Sequence, residues 1–388
     1  MRSALRNILL GLLLIVIPAT GRAEQWTAAD ATNWAAGQPW MVGANYIPAD
    51  ASNTLEMWQE ESFDPARIEL ELGWAERLGF NTLRVFLHDL LWQQDAMAFT
   101  RRIDRSLAIA DKHHLRVILV LFDSCWDPDP RLGQQAPPVP GVHNSRWVQS
   151  PGSAALQDEG QWPRLQAYVE GVVGAFRNDK RILAWDIWNE PDNVNRDSYF
   201  QREPADKIDR VRSLLPRAFA WARMSRPIQP LTSAVWRDPS RARPPDEIER
   251  IQLSNSDIIS FHSYDEPDRF ERQILFLEQD KRPILCTEYM ARPRGSTFEG
   301  ILPIAARHHV GAINWGFANG MTQTHLPWDS WQTPYVGREP PVWFHDIFRS
   351  DGRAYRERET AFIRKLIDAQ SAVPIEAPRK TGASTGRD

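Results

Sequence analysis

The stretch Leu183-Ala184-Trp185-Asp186-Ile187-Trp188-Asn189-Glu190-Pro191-Asp192 decides how this chain folds. An apolar run ends abruptly in an amide, a carboxylic acid and a proline. Runs of this kind form parallel strands buried on both faces, and the residues at their carboxyl ends face a ligand crevice. A second run, Pro283-Ile284-Leu285-Cys286-Thr287-Glu288-Tyr289, also closes on a glutamate. One glutamate ending a buried strand is commonly structural or ion-paired. Two of them, on two strands of one sheet, point to a shared site.

Outward from these two, eight short apolar runs appear in order: 41–47, 81–88, 116–123, 182–190, 230–236, 258–264, 283–289 and 311–317. Most are followed by a segment of helical period. Between the first two, Asp64-Pro65 supplies an N-cap and a first-turn proline, and Gly79 ends the helix. Ile68, Leu72, Ala75 and Leu78 recur between them at helical spacing. Ile103, Leu107 and Ala110 repeat the pattern before the third run, and Leu165, Val169, Val172 and Phe176 before the fourth. Phe270, Ile274 and Leu277 do so before the seventh. Alternating strands and amphipathic helices are parallel βαβ units, and eight of them close into an α/β fold of the (β/α)8 barrel type.

The connections that leave the carboxyl ends of the strands are uneven. Residues 124–161 carry Trp126, His143 and Trp147, residues 191–204 follow Glu190 directly, and residues 318–352 carry Trp328, Trp331, Tyr335 and Trp343. Long loops in a compact domain are usually functional. These three are expected to wall one cleft, lined by at least two of Trp126, Trp147, Trp315, Trp328 and Trp331. A loop indole can pack the loop down on the barrel, or offer a flat apolar face to a sugar ring.

Of 388 residues, 42% are hydrophobic and 25% charged, the balance of a globular chain. The net charge of −4, without a long basic run, lacks the electrostatic footprint of a nucleic-acid binder. Arg2 and Arg6, an apolar stretch over 8–17, Pro18 and the small-residue site Gly21-Arg22-Ala23 read as a signal peptide over 1–23, with export to the periplasm or medium. No later segment is apolar enough for a membrane span. A single barrel domain is expected over 24–372, a monomer, with a disordered tail over 373–388. Cys125 and Cys286 fall on opposite sides of the barrel, so no disulfide is expected and two small buried hydrophobes are the plainer reading.

Strand alternation places Ile284, Cys286 and Glu288 on one face, Arg84, Phe86 and His88 on another, and His262 with Tyr264 on a third. Asn189 and Glu190 are adjacent, so a bulge or the strand end must release one of them for both to face inward. A pair of glutamates so placed suits cleavage of a glycosidic bond with retention, which needs an acid/base and a nucleophile. Glu288, as nucleophile, must be ionised, with Arg84 and the Tyr264 hydroxyl as its expected partners. Glu190, as general acid, must start protonated, its pKa raised by Trp188, low dielectric and the charge of Glu288. Asn189 suits the sugar hydroxyl beside the anomeric carbon.

The segment 183–192, with its Asn-Glu-Pro core, resembles the acid/base signature of glycoside hydrolase family 5, the cellulase family of clan A. The order, acid/base on the fourth strand and nucleophile on the seventh, is similar too. The resemblance implies that Arg84 binds the nucleophile, that His262 and Tyr264 line the reactive subsite, and that Trp315 is a platform beneath that sugar. Gly43-Ala44-Asn45-Tyr46 also resembles the barrel of family 2 β-mannosidases and β-galactosidases. Residues and resemblance together imply a retaining β-glycoside hydrolase, endo-β-glucanase- or mannanase-like. Its alternatives are an exo-acting β-glycosidase, a transglycosylase, or a non-catalytic barrel that binds carbohydrate. The expected partner is an oligo- or polysaccharide.

Other positions carry two readings. His88 and Asp89 can touch a sugar hydroxyl or form a structural pair, and Asp123 can be a subsite acceptor or structural. His113-His114 and His308-His309 fall at helix ends, where they cap carbonyls. The Arg-rich stretch 237–250 reads as a solvated loop and helix. With no His-Glu-x-x-His, Cys-x-x-Cys or first-strand His-x-His, neither a metal nor another cofactor is expected.

Overall fold

The structure, a computed structural model, describes residues 24–241 and 243–372; the predicted signal peptide and tail lie outside the described residues. Eight parallel strands run in chain order: β1 (Val42–Asn45), β2 (Thr82–Phe86), β3 (Arg116–Asp123), β4 (Ile182–Asn189), β5 (Leu231–Thr232), β6 (Ile259–His262), β7 (Ile284–Glu288) and β8 (Gly311–Asn314). Each falls inside one of the eight apolar runs. Neighbours in sequence are neighbours in the sheet, and β8 pairs with β1. β5 is only two residues long, so the last seam closes through Val235. Its N–H donates to the Ser260 carbonyl (3.1 Å) and its carbonyl accepts from His262 N–H (3.0 Å). The result is the predicted (β/α)8 barrel.

Local signals set the helix ends. For the helix Pro65–Leu78, the Asp64 carboxylate accepts from the Ala66 and Arg67 amides, and Gly79 stops it in the left-handed conformation (φ 87°). Ile68, Leu72, Ala75 and Leu78 are buried against the strands. The histidine pairs behave differently from expectation. His113 and His308 end their helices, but their rings bridge glutamates, Glu69 with Glu76 and Glu271 with Glu278.

The barrel interior is layered. At the amino end Met41, Ile118, Ala184, Ile258 and Leu285 pack together, sealed by Ala31 of the helix Ala28–Ala36 and by Trp26 and Trp34. Above this apolar plug the interior turns polar, with Arg84, Asp186, Thr232 and Ser260 all buried. A charged layer on an apolar floor leaves one way out, through the carboxyl end. Among the described residues no helix is long and apolar enough to cross a membrane.

Close packing of β1 on β2 supplies a test of this frame. A Cβ at Gly43 would sit 1.6 Å from the Thr82 carbonyl oxygen, which is backbone and cannot turn aside. Gly43→Ala is expected to cost about 3 kcal/mol or more by overpacking, read as a lowered urea midpoint.

Candidate active site

β3 and β4 carry the centre of the site, and both depart from strict alternation near their ends. Ala184 and Asp186 face the interior, but Ile187 and Trp188 both join the outer core, as do Leu121 and Phe122 beside them. Alternation slips by one on each strand. Asp123 and Asn189 then return inward, where the Asn189 amide donates to Asp123 (3.0 Å). Glu190 next takes a left-handed backbone (φ 43°), uncommon for a residue with a Cβ and costing about 1–3 kcal/mol. Slip and turn together deliver two consecutive side chains to one cleft.

Arg84 sits in the barrel axis, fully buried. Its guanidinium donates to Asp186 Oδ2 (2.8 and 3.0 Å), Asn189 Oδ1 (2.7 Å), Asn45 Oδ1 (2.8 Å) and Glu288 Oε1 (2.9 Å). It therefore orients Glu288 and Asn189 at once. The Tyr264 hydroxyl donates to the other oxygen of Glu288 (2.8 Å), and burial pushes that phenol well up, so it stays a donor.

Glu190, Glu288 and His262 converge, each with a donor atom within 4.8 Å of the others. His262 Nδ1 lies 3.0 Å from Glu190 Oε1 and 3.5 Å from Glu288 Oε2. Burial lowers its pKa to about 4, so the ring is neutral at neutral pH. Three such atoms could embrace a cation, but the Arg84 guanidinium already supplies positive charge at Glu288.

Burial raises the pKa of both carboxyls. Their surroundings differ. Glu288 faces a guanidinium and a phenol, whereas Glu190 receives hydrogen bonds from neutral groups, the Asn193 amide (2.7 Å) and the Cys125 thiol (3.4 Å). The Arg84 charge draws both back down, joined by Arg237 at Glu190 and by His262 at Glu288. Trp188 has no part in this, contrary to expectation. It packs against Phe122 in the outer core and donates to Ser124 Oγ (3.0 Å).

A cleft of about 700 Å³ opens above these residues. Asn189, Glu190, His262, Tyr264, Glu288, Trp126, Trp315 and Trp328 line it. Three residues expected there do not. Trp147 is 2% exposed, pinned by its indole N–H to Asp123 (2.6 Å) and packed edge-on against Phe86 and Trp315. His88 is wholly buried and turns Nδ1 to the Leu90 amide as the N-cap of the helix Asp89–Lys112. Trp331 stacks on Trp126 (ring centroids 5.7 Å apart) and is not part of the lining. Asp123, held at a pKa of about 6 by burial, serves Trp147 and Asn189 as acceptor and stays beneath the surface.

Sequence reasoning missed Asp186, Cys125, Asn193, Trp236 and Arg237. Asp186 carried a signal: a carboxylate inside an apolar strand needs a buried cation. Cys125 was read as a plain hydrophobe, yet it is hydrogen-bonded to Glu190. The stretch from Arg237 is no free loop either. Arg237 pairs with Asp192 and Asp246 and lines the cleft with Trp236 and Arg241.

No family model and no curated protein matches this chain by sequence. Solved structures do match by fold. An exo-β-1,4-mannosidase from Opitutaceae bacterium strain TAV5 superposes with a TM-score of 0.59 at 17% identity, over 85% of this chain and 59% of its own. The present chain thus spans less than two thirds of that relative. GH5_18 from Streptomyces cattleya, solved with GlcNAc, gives 0.56 at 14% identity over 87% and 81%. A glycoside hydrolase family 5 mannosidase from Rhizomucor miehei gives 0.53 at 14% over 87% and 95%. The chain shares the barrel fold of family 5 glycoside hydrolase structures.

The Arg84 hub makes a stability prediction. Arg84→Leu leaves Asp186 and Glu288 buried without their cation and is expected to cost about 3–5 kcal/mol in urea unfolding. Adding Asp186→Leu should return part of that loss, because a second uncompensated charge is removed.

Proposed function

We propose that this protein is a retaining β-glycoside hydrolase working by double displacement, with Glu288 as nucleophile and Glu190 as acid/base. The observation that carries the reading is the pair itself. Oxygens of the two carboxyls lie within 4.8 Å in one cleft, with a cation on one side and neutral donors on the other. Retaining enzymes hold their carboxyls about 5–5.5 Å apart, whereas inverting ones need about 6.5–9.5 Å to admit a water. The fold shared with glycoside hydrolase structures supports the same class. The leader read in residues 1–23 supports export of such an enzyme from the cytoplasm.

In the first step the Glu288 carboxylate attacks the anomeric carbon while Glu190 gives its proton to the departing oxygen. The C–O bond to the leaving group breaks and an ester to Glu288 forms. Esterification removes the Glu288 charge, so Glu190 can remain ionised. It then takes a proton from water as the hydroxyl displaces the ester, and both carboxyls return to their starting states. Arg84 and Tyr264 hold the nucleophile, and Asn189, fixed by Arg84 and Asp123, presents its amide to the sugar. Attack inside a chain and attack at its end share this machinery and differ only in what the loops leave open.

Chemical rescue tests the roles. Glu288→Ala should abolish turnover of every substrate. Glu190→Ala should keep the first step for a dinitrophenyl glycoside, whose leaving group needs no proton, and added azide should then yield the β-glycosyl azide. An α-azide from Glu190→Ala would exchange the two assignments.

Asn193 supplies a pH prediction. Its hydrogen bond favours ionised Glu190, so Asn193→Ala raises the Glu190 pKa further. The alkaline limb of kcat/KM, where Glu190 loses its proton, should move to higher pH while the acid limb, governed by Glu288, stays in place.

A further inference from the structure

The lining of the cleft is one-sided. Its lining comes from the ends of β3 to β8 and the loops that follow them, and includes no residue from the loops after β1 or β2. That arc of the mouth is roofed. The long loop after β8 leaves Trp315 and crosses it in four anchored stages. Met321 N–H donates to the Ala49 carbonyl beyond β1 (2.8 Å), and the Thr322 carbonyl accepts from Asn144 N–H in the loop after β3 (2.7 Å). His143 reaches Ser330 Oγ through its N–H (2.9 Å) and the Leu326 carbonyl through its ring (2.8 Å). Finally the Gln332 amide donates to the Asp197 carbonyl (2.9 Å), in the loop after β4. Trp331 is clamped there between Trp126 and Tyr199, at 5.7 and 5.4 Å. Asn53, in the loop after β1, ties the same wall from below by donating to the Arg146 carbonyl (2.9 Å).

Chemistry gives this asymmetry a direction. The leaving group must lie against Glu190, because it takes that proton. Glu190 sits in the lined arc, between the cleft-lining residues Asp192 to Asp197 and the group Trp236, Arg237, Asp238 and Arg241, away from the loops after β1 and β2. A glycan continuing the other way from the attacked sugar would run over Trp315 into the wall of His143 and Asn144, both buried. We propose that the site is a blind pocket for one terminal sugar, so that the enzyme removes single residues from the non-reducing ends of β-linked glycans. This rests on the retaining glycosidase reading above and deepens it. The roof, and not the catalytic pair, enforces the mode of attack.

Product analysis separates this proposal from its foundation. Wild-type protein is incubated with borohydride-reduced β-1,4-linked tetrasaccharides of glucose, mannose and xylose. In parallel, 2,4-dinitrophenyl 2-deoxy-2-fluoro-β-glycosides of the same sugars are used to trap the nucleophile, with intact mass and peptide mapping as the readout. The expected result is a label on Glu288 and, early in the reaction, free monosaccharide with reduced trisaccharide as the only products. A label on Glu288 with released disaccharide or longer pieces would overturn the blind pocket and leave the glycosidase reading standing. Neither label nor cleavage with any of the three sugars would overturn both. Trp331→Ala, which loosens the roof from outside the cleft, should add disaccharide to the products. If the wild type and this variant gave the same internal cleavage, the roof would have no role in selecting chain ends.

Discussion

One buried guanidinium organises this molecule. Arg84 lies in the barrel axis with no solvent contact, and a charge there is tolerated only when every donor is met. Asp186 accepts from two of the five N–H groups, and Asn45 and Asn189 take one each. Glu288 receives what remains. Because the partners come from β1, β4 and β7, the cation cross-ties the barrel and sets the orientation of Glu288 in the same act. Stability and reactivity are thus drawn from one side chain.

That arrangement also gives two identical acids different neighbours. Burial opposes charge on both glutamates, and each opposes charge on the other. The guanidinium and a phenol contact Glu288, whereas Glu190 is held by an amide and a thiol. The left-handed backbone at Glu190 is the local cost of bringing it to the cleft directly after Asn189. Above them the loop after β8 crosses from Ala49 beyond β1 to Asn144 and Asp197 in the loops after β3 and β4.

How much of this was legible beforehand depended on the range of the interaction. The eight strands, the helix from Pro65 with its Asp64 cap and Gly79 stop, and the two glutamates at strand ends are written in periods and neighbours, which act over a few residues. The pairing of Arg84 and Tyr264 with Glu288 was also within reach, since alternation places each inward and a carboxylate needs donors. Alternation failed at Trp188, because β3 and β4 slip together, and such a slip depends on how two strands pack. Trp147 and Trp126 look alike as loop indoles. Only the presence of Asp123 beneath one and open space beside the other separates packing from lining.

The sequence by itself determined the barrel, the places of its strands and the identity of the two carboxyls, because hydrophobic period and strand-end chemistry are local properties. The tertiary structure decided which carboxyl lies against the guanidinium, which indoles face the cleft and which loops line it. Those depend on contacts between Arg84 and Glu288, between Cys125 and Glu190, and between loops following β1, β3, β4 and β8, that lie far apart in the chain and meet only when the barrel closes.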